Sequence, residues 1–109
     1  MGNVKDQEIM IHVIVLLEAK DADALQAFEK QAVEIMKKYD GKLVAAFEPD
    51  VSESSSSNIA EVHYLQFLTI EAFRKYRADP QHIELAELRK EAISSTTVFV
   101  SGRIKDYGK

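Results

Sequence analysis

The segment from Ile9 to Leu17, Ile-Met-Ile-His-Val-Ile-Val-Leu-Leu, constrains the fold of this chain more than any other. It is rich in β-branched residues, which favour a pleated, extended backbone. Successive side chains of a strand point to opposite faces. One face here carries Ile9, Ile11, Val13, Val15 and Leu17, and the other carries Met10, His12, Ile14 and Leu16. A strand covered on one side only alternates apolar with polar residues. This one does not, so both of its faces call for cover. As a helix the run is far too short to cross a bilayer.

The rest of the chain reads as alternating helical and extended segments. Asp21 or Asp23 offers a helix N-cap, with Gln26 three residues after Asp23 as in a capping box. Leu25, Phe28, Ala32, Ile35 or Met36, and Tyr39 then recur at helical spacing. Lys37 and Lys38 suit the last turn, where the helix dipole favours cations. Gly41 is expected to take the left-handed conformation that ends the helix. Lys42 to Glu48 reads as a second strand, stopped by Pro49. Asp50 to Asn58 contains four consecutive serines and reads as a surface loop. Glu61 to Leu68 reads as a third strand. Thr69 caps a helix from Ile70, and Asp79-Pro80 interrupts it. Proline disfavours helical geometry at the residue before it and suits the first turn of a new helix. Asp79 is therefore expected to cap a further helical segment from Pro80 to about Ile93, with Leu85, Leu88 and Ala92 as its apolar stripe. Thr96 to Ile104 reads as the fourth strand.

The order β-α-β-β-α-β within 109 residues predicts a single α+β domain over residues 1–109, ferredoxin-like, with a four-stranded antiparallel sheet and both helices on one face. The helices cover one side of the sheet. Leaving the apolar residues of the other side in water forfeits roughly 1.5–3 kcal/mol each. A whole domain is stable by only about 5–15 kcal/mol. The chain has no spare element for this face, so a second copy is expected to cover it, and the partner expectation is a homodimer.

Charge and composition narrow the function. Lys plus Arg is 14 against 18 Asp plus Glu, and no basic run supplies a footprint for a phosphate backbone. Nucleic acid is not an expected partner, and neither is a membrane. The polar, acidic start of the chain does not read as a signal peptide, so the expected location is cytoplasmic. With no cysteine, disulfides, thiolate metal sites and a cysteine nucleophile are all excluded. The three histidines form no close-spaced pair, so no metal site is expected. Four glycines make no phosphate-cradling loop, and no cofactor is expected. A single axial histidine in an apolar cleft would still suffice for heme.

Several stretches resemble the dimeric α+β barrel superfamily, over about Ile9 to Gly102. Tyr39 to Pro49, Tyr-Asp-Gly-Lys-Leu-Val-Ala-Ala-Phe-Glu-Pro, is similar to the helix-to-strand passage of a branch known as a domain of unknown function. Leu85 to Arg89 and Val98 to Gly102, Val-Phe-Val-Ser-Gly, look like the same branch. A second branch, the stress-responsive barrels and related polyketide cyclases, is suggested by three features. His12-Val-Ile-Val-Leu16 resembles its first strand, Tyr76 lies six residues before His82, and Asp79-Pro80-Gln81-His82 looks like its His-Pro-x-His stretch. Asp79 stands where that branch often has histidine. Superfamily members also include small monooxygenases and heme-degrading enzymes, so the resemblance implies a fold and leaves the function open.

Three residues are candidates for catalysis. His82 falls at the third position of a helix capped by Asp79, where the helix dipole opposes protonation, and a neutral imidazole can act as a base. It could equally hydrogen-bond a neighbouring loop. Tyr76 could orient a carbonyl through its hydroxyl, or simply pack its ring. His12 joins them in one pocket if it faces the helices, and not if it faces a partner subunit. Tyr64 and Gln66 share a face of the third strand and are candidate pocket-lining groups, with His63 on the opposite face. The serines of the 50–58 loop lack a glycine elbow and are no nucleophile motif. The leading expectation is a small-molecule-binding protein, in its sharpest form a cofactor-free enzyme doing proton-transfer chemistry on a carbonyl compound. A monooxygenase-like barrel acting on an aromatic compound or heme is one alternative, and a structural or regulatory dimer without turnover is another.

Overall fold

A computed structural model describes residues 10–55 and 58–108. Ile9, Ser56 and Ser57 of the segments discussed above lie outside them. The elements are β1 (Ile11–Ala19), α1 (Ala22–Lys37), β2 (Lys42–Phe47), β3 (Glu61–Phe67), α2 (Ile70–Ala78), α3 (Pro80–Glu84), α4 (Ala86–Ala92) and β4 (Ile93–Val100). The sheet has the order β2-β3-β1-β4, and every neighbouring pair is antiparallel. This is the β-α-β-β-α-β arrangement expected from the sequence.

The helices all lie on the side of the sheet to which Val13 and Leu17 of β1 and Leu65 and Phe67 of β3 point. Two apolar clusters fill the space between. Val13, Ile35, Met36, Phe67, Phe73 and Tyr76 form one. Leu17, Leu25, Phe28, Ala32, Ala92 and Ile93 form the other. The protein measures only 16 Å across its shortest Cα dimension, which is one sheet and one helical layer.

Caps and ends follow local chemistry, with corrections to the sequence reading. Asp21, not Asp23, caps α1, its Oδ1 accepting from the Ala24 N–H at 2.8 Å. The cap comes early because the Lys20 N–H is already held by the Ala92 carbonyl at 2.8 Å, turning the chain straight off β1. Thr69 caps α2 through the Ala72 N–H, and Asp79 caps α3 through the Gln81 N–H. The segment after Pro80 is two helices rather than one, broken at Leu85 (φ −80°, ψ 2°). Asp40, not Gly41, takes the left-handed conformation after α1 (φ 57°). Gly41 is needed for a different reason: a Cβ there would lie 2.3 Å from a Phe67 ring carbon and 2.4 Å from Met36 Cγ.

The fourth strand begins at Ile93 rather than Thr96 and ends at Val100 rather than Ile104. Ile93 pairs with Ala19 and is buried, so the chain passes from α4 directly into the ladder. At the other end, the Ser101 hydroxyl accepts from the His12 N–H at 2.9 Å and closes the pairing.

The face of the sheet turned away from the helices is apolar and open. Ile14 is 36% exposed and pairs across the ladder with Phe99, which is 57% exposed; Phe47 is 56% exposed at the other edge. The two-faced apolar pattern of β1 is thus real, and the described residues cover only one of its faces.

Candidate functional site

A cavity of about 150 Å³ lies between the sheet and the helices. Val15, Phe28, Phe73 and Val98 supply apolar wall, and His63, Tyr76, His82, Glu29, Arg77 and Arg89 supply polar groups. A cavity of about 150 Å³ holds a benzene-sized body.

Tyr76 and His82 are brought together there. Tyr76 comes from the last turns of α2 and is only 7% exposed. His82 comes from the first turn of α3, where the Asp79-Pro80 break redirects the chain. Their rings meet edge to face, with centroids 4.7 Å apart, and the ring of Phe28 meets His82 from α1 at 6.2 Å. Burial lowers the His82 pKa below its usual value, and the guanidiniums of Arg89 and Arg77 add to this, with Asp79 opposing. Neutrality of the imidazole thus owes most to desolvation. The five residues of α3 make only a short dipole. Burial and the Glu29 carboxylate raise the Tyr76 pKa far above its usual value, so its hydroxyl keeps its proton. No hydrogen bond from a described residue contributes to this shift.

His12 does not join this pair. It stands on β1 opposite to Val13, on the open face of the sheet, and its Nδ1 lies 2.7 Å from the Tyr64 hydroxyl. That hydroxyl also accepts from Gln66 Nε2 at 2.9 Å. Tyr64 and Gln66 therefore form a polar chain with His12 on the open face and do not line the cavity. The pocket holding all of His12, Tyr76 and His82 is not formed. The side of β1 taken by His12 follows from pairing: Val13 stands opposite Leu65, whose strand turns its buried set, His63, Leu65 and Phe67, to the helices.

The sequence placed His63 on the face opposite Tyr64 without giving it a role, and did not single out Glu29 or Arg89. His63 is 4% exposed, with Nε2 2.8 Å from Glu61 Oε1 and Nδ1 3.7 Å from Glu29 Oε1. Glu61 and His63, two apart on one strand, share a face, and that signal was available in the sequence. Glu29 comes from α1, and only the packed fold brings it near. Burial raises the Glu29 pKa, with His63 working against it and Glu61 adding to it. Arg89 donates from Nη2 to Thr96 Oγ1 at 2.7 Å, which lays its side chain along β4 at the cavity. Among the described residues no group of three or more His, Asp or Glu side chains could hold a metal ion, and no helix is long and apolar enough to cross a membrane.

The fold and this cavity can be set beside known proteins. The profile of one family matches residues 11–103, nearly the whole described chain. The chain belongs to that family, described as Domain of unknown function (DUF1330). No curated protein matches the chain. Among solved structures, a protein of unknown function from Rhodopseudomonas palustris shares 18% identity at a TM-score of 0.70, covering 95% of this chain and 89% of that one. The hydroxynitrile lyase from Passiflora edulis shares 12% identity at a TM-score of 0.72, covering 94% and 99%. A dimeric protein of unknown function and ferredoxin-like fold from Bacteroides fragilis shares 13% identity at a TM-score of 0.56, covering 84% and 94%. At these identities the likeness is one of fold. It bears out the ferredoxin-like α+β barrel architecture expected from the sequence.

Proposed function

We propose that this protein is a homodimeric small-molecule-binding barrel that does cofactor-free proton-transfer chemistry on a carbonyl compound in the cavity between sheet and helices. The observation that carries this reading is the neutral-leaning His82 imidazole set edge-on against Tyr76 inside a largely apolar pocket. His82 is the base that takes a proton from the carbon beside the carbonyl. Tyr76 keeps its proton and donates to the carbonyl oxygen, where negative charge develops. A site walled by Phe28 and Phe73 strengthens both interactions by excluding water. The hydroxynitrile lyase of similar fold is an enzyme built on this architecture, which is consistent with chemistry in such a pocket.

The homodimer is supported by the open apolar face with Ile14, Phe47 and Phe99, and by the dimeric state of the Bacteroides fragilis protein of similar fold. A second copy laid on that face would bury the His12–Tyr64–Gln66 chain as a satisfied network at the interface.

Proton–deuterium exchange tests the chemistry directly. Phenylpyruvate and a panel of aryl ketones are incubated with the protein in D2O, and loss of the proton beside the carbonyl is followed by NMR. Exchange above the buffer rate is expected for at least one of these, falling by about 100-fold or more in His82→Ala with an unchanged fold. Tyr76→Phe is expected to slow exchange while sparing binding. Undiminished exchange in His82→Ala would remove His82 from the mechanism.

A further inference from the structure

We infer that the compound taken by this cavity carries a carboxylate, which Arg77 and Arg89 engage while its apolar body lies against Phe28 and Phe73. The inference deepens the proposed function and rests on reading the cavity as a ligand pocket. Both guanidiniums line the cavity, one from the end of α2 and one from α4. Neither is in an ion pair among the described residues. Both residues are exposed, and each side chain has one contact that directs it. Arg77 lies over the Phe73 ring, 5.4 Å from its centroid, and Arg89 is tied to Thr96 Oγ1 at 2.7 Å.

An arginine presents a planar fork of donors that matches a carboxylate, and so positioned it loses little freedom on binding one. The acids near the cavity form no ion pair with either guanidinium among the described residues, although Glu29 feels the charge of Arg89. Glu61 is turned to His63, Asp79 is engaged by Tyr39 and Lys38, and Glu29 faces His63 at 3.7 Å. Two exposed cations, each with one anchoring contact and no ion pair, therefore stand at the wall of an apolar pocket whose acids are turned to other partners. A neutral ligand would leave them to water. A carboxylate would satisfy them and place its adjoining carbons toward Tyr76 and His82. The substrate class that follows is a small carbonyl acid with an apolar body of about one ring.

The test uses benzoate and benzamide, which have nearly the same shape and differ in charge. The isotope-labelled protein is titrated with each, and the backbone signals of Tyr76, His82 and Arg89 and the imidazole signal of His82 are followed by NMR. Benzoate is expected to shift these signals with a Kd at least about tenfold below that of benzamide. Saturating benzoate is expected to raise the titration midpoint of His82, because it offsets the two guanidiniums that disfavour the imidazolium; benzamide is not. Arg77→Gln, which leaves the Arg89–Thr96 contact intact, should lose part of the preference for benzoate, and Arg77→Gln/Arg89→Gln should lose all of it. Equal affinity for the two probes, or a preference that survives in the double variant, overturns the inference and leaves the ligand pocket standing. Absence of shifts at the cavity with either probe overturns both.

Discussion

Asp79 does structural work that its position in a His-Pro-x-His-like stretch does not reveal. Its carboxylate is buried, accepts from the Tyr39 hydroxyl, lies 2.9 Å from Lys38 Nζ and accepts from the Gln81 N–H at 2.7 Å. It thereby ties the end of α1 to the start of α3 and fixes where His82 projects. The Tyr39 hydroxyl first, and the Lys38 ammonium second, hold its pKa at about 2. The folded protein thus binds this proton less readily than the unfolded chain. The stabilisation is complete above the ordinary value of 3.8 and is lost as pH falls through about 2. Comparison of urea midpoints for the wild type and Asp79→Asn should show a gap that is wide at pH 6 and narrows from about pH 4 downwards. A gap unchanged between pH 6 and pH 2.5 would show that the charge of Asp79 is not what holds the joint. His82 acts in another window. Its folded pKa lies below its ordinary 6.5, so its contribution is present above that pH and fades as pH falls through the lower folded value.

At the scale of elements, ends are set by single hydrogen bonds and close approaches. Asp21→Ala removes the acceptor for the Ala24 N–H and should cost about 1 kcal/mol, read from the urea midpoint. Gly41→Ala forces a methyl group into Phe67 and Met36 and should cost about 1–3 kcal/mol by the same measurement. These elements also show what could be read from sequence. The helical spacing of Leu25, Phe28 and Ala32, and the caps at Thr69 and Asp79, depend on neighbours within one or two turns and were legible. The start of β4 was not, because Ile93 is extended only through its pairing with Ala19 across the sheet. The face of His12 was not either: β1 is apolar on both sides, and only its pairing with β3 decides which side meets the helices. Of the site, Tyr76 and His82 were picked out together through the resemblance to the stress-responsive barrels, whose second-helix spacing they match. Glu29 and Arg89 were not, since ordinary charged residues on helices show nothing in sequence that separates them from solvated surface.

At the scale of the whole molecule, the two faces of the sheet have separate tasks. The helical face encloses the cavity, and the open face offers Ile14, Phe47 and Phe99 with a polar chain of His12, Tyr64 and Gln66 among them. If a second copy covers the open face, a charge at its apolar centre should be far more damaging to assembly than to folding. Phe99 is the position to choose. It is more than half exposed in the single chain, so its replacement leaves the packing beneath the helices untouched. Phe99→Lys should raise the dissociation constant of the dimer by about 30-fold or more, as expected for an aromatic residue at the centre of an interface. Analytical ultracentrifugation over a range of concentrations measures this directly. Ile14→Asp, across the ladder from Phe99, should act in the same direction. Lys30→Glu, on the exposed side of α1, should leave assembly unchanged. A wild-type protein that sediments as a monomer at high concentration would show that no second copy covers this face. Because the cavity lies on the opposite side of the sheet, monomeric Phe99→Lys should still bind benzoate. Loss of that binding together with the dimer would mean that the pocket depends on the partner copy for its shape.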